Sequence, residues 1–142
     1  MREIKFRGQH AGNLRWYYGG YHKHEVVTVC PLDNTPIEYQ HLIVQSGFSD
    51  WNLPKPIQAV EVIPETVGQF TGLLDGNGKE IYEGDILQFE EYPPAQVLWY
   101  DGAFNARRLD INDDYILADW YDGTVIIGNI HDNPELAEGI EL

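Results

Sequence analysis

The sequence predicts a mainly β fold, a barrel or a sandwich, closed by one short C-terminal helix. Three observations carry this. Strand-like runs recur roughly every 8–12 residues and are cut by Gly, Pro, Asn and Asp. Aromatic residues make up 13% of the chain, a load that suits pleated surfaces and sheet cores. Helix start and stop signals coincide only at the C-terminus.

The elements follow in order. Glu3–Arg7 alternates polar and apolar residues, with Ile4 and Phe6 on one face. Arg15–Tyr18 runs into Gly19-Gly20 and then Tyr21; two glycines supply the positive φ angles of a tight hairpin, so a turn is expected there. Val26–Cys30 is β-branched and stops at Pro31, and Pro31–Pro36 is turn chemistry. Tyr39–Gln45 fits either a strand or one or two helical turns. Ser46–Pro56 reads as a loop anchored by Phe48 and Trp51, and Ile57–Ile63 as a strand ended by Pro64.

A second group begins with a strand over Gln69–Leu74. It turns at Asp75-Gly76-Asn77-Gly78, returns over Lys79–Tyr82 and turns again at Glu83-Gly84. Asp85–Phe89 is the next strand, broken by Tyr92-Pro93-Pro94. Gln96–Tyr100 and Ala103–Ile111 flank Asp101-Gly102, a favoured two-residue hairpin loop. Tyr115–Trp120 is a further strand, and Asp122-Gly123 a turn. Thr124–Ile130 is apolar on both faces, which predicts a central buried strand. Asn133 then caps, Pro134 opens and Gly139 stops a helix over Pro134–Glu138. Pro64 and a change in charge near residue 75 divide the chain into two expected subdomains, 1–64 and 65–142.

Charge bounds the partners. The formal net charge is −14, with 23 acidic against 9 basic side chains. Residues 1–74 are close to neutral, whereas 75–142 hold nearly all the excess and only Lys79, Arg107 and Arg108 as cations. Such a surface repels nucleic acid, whose affinity for proteins comes from Lys and Arg displacing counterions. It also repels anionic membranes. No apolar run is long enough to span a bilayer, and the N-terminus lacks the apolar stretch of a signal peptide. Cys30 is the only cysteine, so no intrachain disulfide and no multi-cysteine zinc site exists. A reducing, cytoplasmic setting is expected.

Tests for chemistry return little. The two serines, Ser46 and Ser49, stand outside any nucleophile elbow. Gly72–Lys79 has the wrong glycine spacing for a phosphate loop, and Glu80 stands where Ser or Thr must hold magnesium. Asp110–Asp114 opens like a calcium loop, but Tyr115 and Tyr121 occupy the positions that need Gly and Glu. His22 and His24 share a strand face without a third ligand in sequence. No catalytic residue, no metal and no cofactor is expected. The expected site is aromatic: Trp99, Tyr100, Phe104, Tyr115, Trp120 and Tyr121 fall in neighbouring strands, and alternation divides them between core and groove. Tyr100, Tyr115, Trp120 and Tyr121 with Asp119 are the candidate binding residues, for a basic or Pro-rich protein partner.

Three phrases resemble the YopX family of phage and prophage proteins: Arg2–Gly8, Glu65–Ile86 with its Glu83-Gly84-Asp85-Ile86 turn, and Val125–Leu136. The resemblance implies an N-terminal β-containing portion packed on a C-terminal SH3-like barrel, and a phage or prophage origin in a bacterial cytoplasm. It supplies no activity and no catalytic residue. The expected function is a non-enzymatic protein-interaction module. Its rivals are an acidic DNA mimic that occupies a host nucleic-acid-binding protein and an enzyme of unknown type. Exposed edge strands leave a homo-oligomer open.

Overall fold

The computed structural model describes residues 1–26, 37–47, 49 and 51–138. It is mainly β, with antiparallel strands throughout and a short C-terminal helix. The expected strand over Val26–Cys30 beyond its first residue, the turn over Pro31–Pro36, the Phe48 anchor and the Gly139 stop lie outside the described residues. Two compact units emerge, one of Lys5–Val67 and one of Gly68–Leu142 with Met1–Ile4.

The first unit is an antiparallel sheet of β1 (Phe6–Gln9), β2 (Trp16–Val26), β3 (Glu38–Ser46) and β4 (Ile57–Glu61), in the order β4-β3-β2-β1. Alternation puts Phe6, Tyr17, Tyr21, Ile43 and Val60 on one face, where they pack with Val62 and Val67. Beyond β4, Val62 bridges to His10 at the end of β1, and the Ile63 N–H donates to the Gln9 carbonyl (2.9 Å). Gly8 is required there: a Cβ would come within 2.7 Å of the Val62 side chain.

Three expectations are corrected here. The first strand starts at Phe6, three residues on, and Ile4 is exposed. Gly19-Gly20 is no hairpin but lies within the eleven-residue β2, because the pairing passes through it: Gly19 faces Phe6 and Gly20 faces Val44. Trp51 is no loop anchor, being 94% exposed. The undecided stretch Tyr39–Gln45 is strand, inside β3.

The second unit opens with the hairpin of β5 (Gly68–Leu74) and β6 (Glu80–Tyr82). A five-stranded sheet follows, made of β7 (Asp85–Gln88), β8 (Ala95–Tyr100), β9 (Ala103–Arg108), β10 (Asp114–Ile116) and β11 (Val125–Asn129), in the order β10-β9-β8-β7-β11. Its core is Ile81, Leu87, Ala95, Val97, Ala106 and Leu117, each fully buried. Asp101 (φ 52°) and Gly102 (φ 80°) form the two-residue turn between β8 and β9, with Tyr100 opposite Ala103.

Two strand expectations fail in this unit. Tyr115–Trp120 is strand only to Ile116; the helical turn α1 (Leu117–Trp120) then drops Leu117 into the core. Thr124–Ile130 is not a central strand. Among the described residues β11 pairs only with β7, and Val125 and Ile127 remain partly exposed. The final helix, α2 (Pro134–Glu138), has the expected bounds. The Asn133 side chain turns back to accept from the Asn129 N–H (3.3 Å), close against Gly128, where a Cβ would meet its Oδ1 at 2.5 Å.

Candidate functional site

The Glu83-Gly84-Asp85 turn is structural. Gly84 takes φ 91°, donates its N–H to the Val97 carbonyl (2.8 Å) and accepts from Ile130 N–H (2.9 Å). The buried Asp85 carboxylate accepts the Tyr82 N–H at 2.8 Å, and Glu83 accepts from Gln69 N–H at 3.0 Å. Asp75 does similar work one turn earlier. Its Oδ1 accepts from the N–H groups of Asn77 and Lys79 (2.8 Å each) and its Oδ2 from Ile126 (3.1 Å), tying the β5–β6 turn to the start of β11. Burial is the largest influence on this carboxyl and opposes ionisation. The three N–H donors and the Lys79 charge together outweigh it and hold the pKa below its ordinary value.

The same sheet presents a pocket of about 290 Å³ lined by Phe89, Tyr92, Arg108, Tyr115 and Trp120. Each wall has a local cause. Phe89 follows β7 directly, and the Pro93-Pro94 break turns Tyr92 back so that the two rings stack at 5.7 Å. Tyr115 stands on β10, and α1 returns Trp120 over it, nearly parallel at 6.2 Å and 15°. Phe89 and Trp120 meet at 6.3 Å and join the two pairs. Arg108 ends β9 with its guanidinium held by both Asp110 oxygens (3.0 and 2.5 Å). Hydrogen bonds to Asp110 first and Tyr115 second raise its pKa further, so it is a fixed cation and not a proton carrier. An adjoining open cleft of about 520 Å³ is lined by Glu90, Glu91, Tyr92 and Pro93, and shares Tyr92 with the pocket.

Of the sequence-derived candidates, the structure brings Tyr115 and Trp120 together. Tyr100 lies elsewhere, on the opposite sheet face from Val97 and Trp99, over the Arg107 guanidinium at 5.5 Å. Arg107 in turn holds Asp114 through two bonds of 2.7 and 2.9 Å. Tyr121 packs against the core, and Asp119 is exposed on α1 without lining the pocket. Phe89, Tyr92 and Arg108 were missed. An aromatic on each side of a strand end, just before Pro-Pro, was the available signal.

With Asp110 and Asp114 occupied by arginines, the acidic turn is an ion-paired corner. No cluster of three or more metal-ligating side chains occurs among the described residues. His22 and His24 do sit side by side, with ring centroids 6.0 Å apart. No described helix is long and apolar enough to cross a membrane.

The family model described as YopX protein matches residues 5–138. The chain belongs to the YopX family. The crystal structure of protein EF1440 from Enterococcus faecalis resembles this YopX-family chain with a TM-score of 0.52 and 22% identity, over 96% of this chain and 99% of that one. At that identity the likeness shows a shared fold alone. No curated protein matches the chain.

Proposed function

We propose that this YopX-family protein is a non-enzymatic interaction module of a phage or prophage, acting in the bacterial cytoplasm. Its second unit is read as an SH3-like barrel. The aromatic pocket takes an extended Pro-rich segment, and the acidic rim takes a basic side chain beside it. One observation carries the reading: two stacked aromatic pairs, Phe89/Tyr92 and Tyr115/Trp120, line one pocket that adjoins Glu90 and Glu91. Aromatic slots of this kind favour the preformed polyproline II helix, whose ordering cost is already low. A binding role is also supported by the pocket's make-up, since its one charged wall, Arg108, is committed to Asp110.

Titration calorimetry with a Pro-rich peptide carrying flanking Arg residues tests this. Trp120→Ala and Tyr115→Ala should each weaken binding at least about tenfold, roughly 1.4 kcal/mol, with circular dichroism unchanged. Tyr100→Ala should leave it intact. Equal loss in all three, or no binding by the wild type, would sink the proposal.

The net charge of residues 75–142 supports a second reading, an acidic DNA mimic that occupies a host nucleic-acid-binding protein. Under that reading added DNA competes for the partner, and Trp120→Ala has no effect.

A further inference from the structure

The far half of β2 carries a pair of imidazoles that the packing of the fold does not use. His22 and His24 are two residues apart on the strand, so alternation sends both side chains to the same face. Both are exposed, and their ring centroids lie 6.0 Å apart. Among the described residues, each ring's one side-chain partner is the other ring.

The backbone beneath them is firm. His22 pairs with Leu42 and His24 with Gln40, in an unbroken antiparallel register with β3. Both Cβ positions are therefore fixed, and only the side-chain torsions remain to adjust. The surrounding charge suits a cation. Lys23, between the two histidines, turns to the opposite face, with its ammonium 4.1 Å from the centre of the Tyr39 ring. Across the strand, the neighbours on the histidine face are Leu42, Gln40 and, opposite Val26, Glu38. The charge among these three is acidic, and it stands diagonal to His24.

We propose that His22 and His24 chelate one transition-metal ion, Cu2+ more tightly than Ni2+ or Zn2+. Neutral imidazole is a favoured donor for all three, and the intrinsic order of affinity peaks at copper. A nitrogen–metal distance of about 2.0–2.1 Å sets two coordinated rings with their centroids roughly 5–6 Å apart. The pair already stands at that spacing, so binding requires only small side-chain rotations. Two protein ligands are fewer than the three or four of a structural or catalytic zinc site. Water completes the coordination, and the ion is exchangeable. The proposal does not depend on the aromatic pocket, which belongs to the other unit.

Titration calorimetry of the full chain with CuCl2, in a buffer that does not bind copper, tests it. One ion should bind at this site, and electron paramagnetic resonance should show imidazole nitrogen bound to it. His22→Ala and His24→Ala, both at exposed positions, should each weaken binding at least about tenfold with the circular dichroism spectrum unchanged. A chelate is lost with either ring, so the double variant should be little worse than each single one. His131→Ala should change nothing. Two ions per wild-type chain, falling to one in each single variant at unchanged affinity, would mean two independent surface histidines and overturns the proposal. So does an equal loss in His131→Ala, or a wild type that binds no copper.

Discussion

Asp75 shows how a turn residue becomes a structural one. The sequence marks Asp75-Gly76-Asn77-Gly78 as a turn but cannot show that its carboxylate will be buried and shared with Ile126, 51 residues away. Asn at this position keeps one acceptor and turns two donors towards N–H groups. Asp75→Asn should cost about 1–3 kcal/mol of stability at neutral pH, measured by urea unfolding. The pH dependence has a definite sign. The folded pKa lies below the ordinary 3.8, so the carboxylate's contribution is complete above that value and is lost as pH falls through the folded one. The gap between wild type and Asp75→Asn should therefore be widest near neutrality and shrink in acid below about 3.8. A gap independent of pH would mean that packing, not charge, holds the turn.

At the scale of elements, turn chemistry was legible where it acts locally. Asp101-Gly102 and the C-terminal helix stand where propensity put them, because each answers to its own few residues. Gly19-Gly20 has the same local signal and the opposite outcome. Only Gly19 serves close approach: a Cβ on it would come 2.2 Å from the Val44 carbonyl oxygen, whereas on Gly20 the nearest atom is 3.9 Å away. Gly19→Ala should thus destabilise the first unit by roughly 1–3 kcal/mol, the usual cost of forced overpacking. Gly20→Ala should be nearly neutral in the same thermal melt. Equal effects would show that chain flexibility, not contact, selects the pair. The pocket was half legible for a similar reason. Tyr115 and Trp120 are near in sequence, and aromatic alternation nominates them. Phe89 and Tyr92 arrive from the segment between β7 and β8, and only the sheet order places them beside that pair. Tyr121 shows the limit from the other side: α1 breaks the alternation on which its nomination rested.

Across the whole molecule the dominant quantity is charge, and it acts on stability and on recognition with opposite signs. Residues 75–142 carry sixteen acidic and three basic side chains, and two of those cations are already spent on Asp110 and Asp114. The remaining carboxylates repel one another across a surface where a Debye length of about 8–10 Å governs the reach. Screening them relaxes the folded state, so the melting temperature should rise as salt is added. The attraction for a basic, Pro-rich peptide is screened by the same ions, so its affinity should fall over that range, chiefly through a slower association rate. The aromatic share of binding is insensitive to salt and sets the plateau that remains. Melting and titration series in one set of buffers check both slopes. A plateau abolished by Trp120→Ala identifies the pocket as its source. Affinity that falls to nothing, with no plateau, assigns recognition to the acidic surface alone and favours the mimic.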